Sequence, residues 1–140
     1  MNSRIQFFSE DINFIFKNKI QTRNWLAKVI EKENKGLLNI NYIFCSDEFL
    51  LELNKKYLNH STLTDILTFP DDSVSGKISG DIYISIERIR ENSEKYTHPF
   101  DKELHRVMVH GVLHLLGYKD KTKNEKETMT LKEDYYLKKI

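Results

Sequence analysis

His110 and His114 stand four residues apart, Gly117 follows three later, and Asp120 three after that, within His110-Gly111-Val112-Leu113-His114-Leu115-Leu116-Gly117-Tyr118-Lys119-Asp120. On a helix, residues at this spacing share one face, one turn apart. Two imidazoles so placed reach a single ion at about 2.0–2.1 Å. Gly117 is the residue type that adopts a left-handed conformation and ends a helix. The chain can then turn back and carry Asp120 to the same ion. Three protein ligands leave a coordination position open for water, which distinguishes a catalytic site from a closed structural one. The spacing predicts that His110, His114 and Asp120 hold one divalent metal, with Zn²⁺ expected. The alternative is a pair of core histidines satisfied by protein groups. Their setting is apolar, Val107-Met108-Val109 before and Leu115-Leu116 after, and imidazoles buried there need partners or a metal.

The elements that must position this site follow from the rest of the chain. Its 140 residues suit one domain, 1–140, with a real core. Charged residues make up 31% and the net charge is +1, which fits a soluble globular chain and gives no global argument for nucleic acid. No apolar run approaches the ~20 residues of a membrane span, and the first residues lack a signal-like apolar segment. One cysteine, Cys45, forms no internal disulfide framework and fits a reducing compartment. Together these predict a cytoplasmic protein that does not engage a membrane.

Ile5–Phe8 reads as a short strand, and 11–19 is ambiguous. Thr22 is placed to cap a helix carrying Trp25, Leu26, Val29 and Ile30 on one stripe, with Gly36 ending it. Leu38–Cys45 alternates as a strand should. Ser46 caps a helix to about Tyr57. Thr64–Pro70 is a strand ended by proline, 71–77 an exposed loop, and Gly80–Ser85 another strand. Helices follow at Ile86–Tyr96, Asp101–Leu116 and Asn124–Lys138. The expected fold is a small α+β domain, with a mixed sheet of about four strands and the histidine helix central, since its apolar residues run nearly all round.

The frame H-x-x-x-H-x-x-G-x-x-ligand is shared with the metzincin metalloproteases, so the expected fold is zincin-like at the metal site. A protease needs glutamate directly after the first histidine as general base. Here that position is Gly111. A substrate that supplies its own anionic oxygens needs a Lewis acid more than a carboxylate base, and phosphodiesters are such substrates.

His110 through Tyr118 matches H-G-x-L-H-L-x-G-Y, the motif of the YbeY family of bacterial metal-dependent endoribonucleases, which the chain resembles. Leu53-Asn54-Lys55-Lys56-Tyr57 followed by Thr64–Pro70 is similar to that family's L-N-x-x-Y…T-D-V-L-S-F-P. Gly80–Ser85 is similar to its G-D-I-x-I-S, and Met129 through Glu133 to its M-x-x-x-E. The resemblance spans about residues 38–137. It implies a zinc-like metal and cleavage of single-stranded RNA. It also implies a role in maturing the 3′ end of small-subunit (16S) ribosomal RNA and in ribosome quality control, with the ribosome or its small subunit as partner. The water at the open coordination position is then the group that attacks the phosphodiester.

Two departures stand out. Family members usually continue Gly-Tyr-Asp-His, the last histidine being the third ligand; here Asp120 holds that position. A His₂Asp set carries one more negative charge than His₃ and is expected to weaken the ion as a Lewis acid, shifting preference toward harder metals such as Mn²⁺. Leu58 stands where many members have an arginine thought to serve cleavage, and leucine cannot clamp a phosphate. Lys55, Lys56 and His60 are nearby candidates to contact RNA instead. Lys119, Lys121, Lys123 and Lys126 form a further cluster, read equally as a solvated helix start or as an RNA-facing edge.

Asp65 and Asp81 sit in or beside strands, where acids are disfavoured; one could orient a ligand histidine, and each reads equally as a turn or strand-end cap. Glu103, two turns before His110 on roughly the same face, could support a ligand from behind, but reads first as a solvent-facing first-turn glutamate favoured by the helix dipole. Two rivals to the nuclease reading remain open from sequence: a metalloprotease on the same ligand frame, and a ribosome-associated binding protein with a structural metal.

Overall fold

The computed structural model describes residues 4–140. Among these, the strands are β1 (Ile5–Ser9), β2 (Gly36–Cys45), β3 (Ile66–Pro70) and β4 (Lys77–Ser85). The helices are α1 (Lys19–Lys32), α2 (Asp47–Leu58), α3 (Ile86–Lys95), α4 (Phe100–Leu115) and α5 (Lys123–Leu137). The sheet order is β1-β2-β4-β3: β1 and β4 flank β2 in parallel, and β3 is the antiparallel edge beside β4. This is the small α+β fold with a mixed sheet. Pro70 closes β3, the edge strand, where a missing N–H costs no ladder bond.

Side chains alternate across the sheet. Ile40, Tyr42 and Phe44 of β2 and Ile78, Ile82 and Ile84 of β4 enter the main core with Trp25, Leu26, Val29 and Ile30 of α1 and the apolar residues of α4. Leu67, Phe69 and Tyr83 face the other way and pack with Leu50 and Leu53 of α2. Helix α4 is central, with Leu104, Val107, Met108, Val109, Gly111, Val112 and Leu113 all buried. It is pinned to the sheet by the buried Tyr42 hydroxyl, which donates to the Met108 carbonyl at 2.8 Å. The Trp25 indole donates to the Tyr136 carbonyl at 2.8 Å and ties α1 to α5.

Gly111 has a packing reason. A Cβ there would meet Ile66 Cδ1, Ile82 Cδ1 and Ile82 Cγ2, each at 3.0 Å. Glycine lets α4 lie directly on β3 and β4.

Several expected boundaries move. Helix α1 begins at Lys19, after Asn18 in the left-handed region (φ 59°). Thr22 is therefore not its cap but a buried residue of its first turn, its N–H already bonded to the Asn18 carbonyl at 3.0 Å. Gly36 does not end α1 either; it opens β2. Asn34 (φ 62°) ends the helix, with Lys35 N–H returning to the Ile30 carbonyl at 3.2 Å. Asparagine tolerates that conformation nearly as readily as glycine.

Candidate metal centre

Glu103, Arg106, Val107, His110 and His114 form one stripe of α4, and this stripe makes one wall of a cleft. The opposite wall is the segment leading into and along β3, including Leu58, Thr64, Asp65, Ile66, Thr68 and Pro70. Asp120, Lys121 and Glu133 complete it.

The end of α4 is built as the sequence requires. Gly117 lies at φ 107°, Gly117 N–H bonds the His114 carbonyl at 3.0 Å, and Tyr118 N–H bonds the Leu113 carbonyl at 3.0 Å. This reversal satisfies the last carbonyls of the helix. It also brings the Tyr118 carbonyl back to His114, 2.9 Å from Nδ1, and Asp120 to the two rings. His110 Nε2 and His114 Nε2 are 3.0 Å apart, and Asp120 Oδ2 is 3.3 Å from each. Ligands at about 2.0–2.1 Å around a tetrahedral ion are separated by about 3.3–3.4 Å. The observed triangle fits that geometry.

The proton arrangement agrees. A backbone carbonyl only accepts, so His114 carries its proton on Nδ1 and presents a lone pair at Nε2. His110 Nδ1 lies 2.6 Å from Glu133 Oε2, so it too donates from Nδ1, and in the neutral ring its Nε2 lone pair faces His114 and Asp120. Two imidazole lone pairs and a carboxylate oxygen converge on one point, which is the donor set of a cation. His110, His114 and Asp120 can thus hold a metal ion. Burial pulls the His110 pKa down, but the Glu133 hydrogen bond and charge, with Asp120 and Asp65, more than offset it and raise it above the ordinary range.

Glu133 was missed as an orienting group. It is buried, and its other oxygen accepts from Arg106 Nη1 at 2.8 Å, while Arg106 Nη2 reaches Asp134 at 2.6 Å. The M-x-x-x-E segment carried the only sequence signal, and it gave no role. Because Glu133 and the Tyr118 carbonyl occupy both Nδ1 atoms, neither Asp65 nor Asp81 orients the ring of His110 or His114 through Nδ1. Asp65 does line the cleft. Its carboxyl is pushed up by burial, an effect the nearby His110 only partly offsets. Asp81 lines a different hollow, with Asn39, Asn41 and Ser79, and accepts from Asn41 at 3.1 Å. Glu103 does not face solvent: it is buried in the cleft, and burial followed by the charge of Asp65 raises its pKa.

Lys55, Lys56 and His60 are absent from the cleft walls, although Leu58 is there. Lys55 lies 3.8 Å from Glu52, and Lys56 lies over the Tyr57 ring. The cations that do line the cleft are Arg106, held by two carboxylates, and Lys121, whose ammonium has no ion pair among the described residues.

The family model for endoribonuclease YbeY matches residues 4–140. The chain belongs to the endoribonuclease YbeY family. A relative in Flavobacterium psychrophilum, named endoribonuclease YbeY, is 52% identical over 131 residues, 94% of this chain and 93% of that one. One of the same name in Cytophaga hutchinsonii is 49% identical over 133 residues, covering 95% and 93%. Among solved structures, a Thermotoga maritima protein determined in solution is 30% identical, with a TM-score of 0.64 over 96% of this chain and 87% of that one. No described helix is long and apolar enough to cross a membrane.

Proposed function

We propose that this protein is a metal-dependent endoribonuclease that cuts single-stranded RNA, with His110, His114 and Asp120 as the ligands of one divalent ion, Zn²⁺ foremost. The observation that carries the reading is the convergence of two Nε2 lone pairs and one carboxylate oxygen at the floor of an open cleft. A divalent ion there supplies Lewis acidity toward a phosphoryl oxygen and makes water a better nucleophile.

The chain's own residues do the rest. Glu133 and the Tyr118 carbonyl hold the ring protons on Nδ1 and fix both imidazole planes. Arg106 holds Glu133 in place through an ion pair at 2.8 Å. Lys121 offers an ammonium at the cleft wall, without an ion pair among the described residues, for a phosphate of the strand, the task for which Leu58 is unsuited. Asp65 and Glu103, both raised by burial, are the cleft carboxyls best suited to carry a proton toward a leaving oxygen.

Position 111 speaks against a protease, because a side chain there runs into Ile66 and Ile82. The substrate we propose is the 3′ end of small-subunit ribosomal RNA, met on the ribosome or its small subunit in the cytoplasm, and the whole chain, 1–140, acts as one domain.

The deciding experiment is cleavage of a labelled single-stranded RNA carrying that end, by metal-loaded protein and by its His114→Ala variant. Cutting by the first alone is expected. Equal cutting by both would overturn the reading.

A further inference from the structure

Glu33 lies in the chain far from every cleft residue, yet it is tied to the turn that bears the third ligand. It is the C-terminal cap of α1, where the helix dipole disfavours a carboxylate. Three donors hold it there. Tyr118 OH donates to Oε1 at 2.6 Å, Lys132 Nζ to Oε2 at 3.0 Å, and Tyr136 OH also to Oε2. The carboxylate side chain is only 11% exposed. Burial alone would raise its pKa; the bonds from Tyr118, Tyr136 and Lys132 outweigh that and lower it.

Tyr118 is the link. Its N–H closes the end of α4 on the Leu113 carbonyl, and its carbonyl accepts from His114 Nδ1. Its hydroxyl is the third fixed point, 85 residues away in sequence on Glu33. With the ring anchored by the hydroxyl, the peptide that orients His114 is anchored too, and Asp120 follows two residues on. Lys132, which also bonds Glu33, lies 5.4 Å from the centroid of the same ring.

We infer that Glu33 is a positioning residue of the metal centre, acting through the Tyr118 hydroxyl to hold the His114-orienting carbonyl and the Asp120 turn in register. This rests on the reading of His110, His114 and Asp120 as metal ligands. The carboxylate touches neither ion nor substrate. Its effect is on how well the ligand set is preorganised, and so on affinity for the ion itself.

The test uses Zn²⁺ alone, titrated into metal-free full-length protein against a chelating dye, beside thermal unfolding of each metal-free variant. Glu33→Gln and Tyr118→Phe are each expected to weaken Zn²⁺ binding by about tenfold or more, as loss of partners behind metal ligands does. The double variant should lose no more than the larger single loss, because both act along one path. Tyr136→Phe removes the other phenol from the same carboxylate and serves as the structural control. It should lower the unfolding temperature while leaving affinity within about twofold of the parent. Unchanged affinity in Tyr118→Phe would overturn the inference even if Glu33→Gln failed to fold. An equal loss in Tyr136→Phe would overturn it as well, since the effect would then be general loosening. A parent that binds Zn²⁺ tightly, with His114→Ala that does not, keeps the metal centre standing whichever way Glu33 falls. A parent that binds no divalent metal sinks both.

Discussion

Glu133 Oε2 lies 2.6 Å from His110 Nδ1, and the same carboxylate takes Arg106 at 2.8 Å through its other oxygen. The His110 ring is thereby fixed from a different helix, and the fixing group is itself fixed by a guanidinium. Glu133→Gln keeps the shape but removes the charge, and its amide offers either an acceptor or a donor to His110. Zn²⁺ affinity should fall by about 10–100-fold. Arg106, left half-paired in a partly buried site, should make the variant less stable as well. Chelator competition measures the first and urea unfolding the second. Parental affinity would show that His110 needs no carboxylate behind it.

Lys121 is the cleft cation without an ion pair among the described residues. Lys121→Ala should slow RNA cleavage and raise KM, and the salt dependence of RNA binding should become shallower by about one phosphate contact. Zn²⁺ affinity should not change, because the ammonium is no ligand. Lys55→Ala and Lys56→Ala, away from the cleft walls, should have much smaller effects. Normal cutting by Lys121→Ala would remove it from the RNA path.

The parts of the site that lie along one helix and its terminal turn were legible in the sequence. His110, His114, Gly117 and Asp120 are fixed by helical periodicity and by one left-handed residue, both local rules. Glu133, Glu33 and the burial of Glu103 were not, because each depends on which helix packs beside α4, and nothing in the spacing of α5 or α1 states that. The strands were visible through alternation, and α2 through its Ser46 cap, whose Oγ accepts from Phe49 N–H at 3.1 Å. Thr22 departs from its expected role for a physical reason: threonine is a good cap in general, but here it is fully buried against the core, and the helix has already begun at Lys19.

Gly111 separates the nuclease and protease readings by packing as well as by chemistry. Gly111→Glu would supply the protease base by type, but its Cβ would meet Ile66 and Ile82 at 3.0 Å in a fully packed core. Overpacking of this kind costs about 1–3 kcal/mol, and a buried carboxylate adds to it. The variant should unfold at lower urea and should gain no peptidase activity. Chelator-sensitive peptide cleavage by Gly111→Glu would mean that the position reaches the cleft after all.

Asp120 gives this site its extra negative charge relative to three histidines. Asp120→Ala should lose most bound metal at stoichiometric Zn²⁺, since two imidazoles remain. Asp120→His should restore Zn²⁺ binding and increase the preference for Zn²⁺ over Mn²⁺, because imidazole suits zinc and carboxylate suits the harder ion. Metal analysis after dialysis against equal Zn²⁺ and Mn²⁺ decides it. Unchanged metal content in Asp120→Ala would exclude Asp120 as a ligand.

Away from the cleft, Asp47 governs part of the acid stability. Burial would raise its pKa, but Arg88, bonded through two nitrogens at 3.2 and 3.1 Å, and the Ser85 hydroxyl at 2.7 Å outweigh that and lower it. A carboxylate whose folded pKa lies below its unfolded value contributes stability above the unfolded value, and that contribution is lost as pH falls through the folded one. Asp47→Asn should therefore lower stability at neutral pH and flatten the decline on acidification below the ordinary aspartate range. The two proteins should converge at the acid end. Urea midpoints measured from pH 7 downward give both curves. Parallel curves, with a constant gap at every pH, would show that the Asp47 charge is not what Arg88 and Ser85 stabilise.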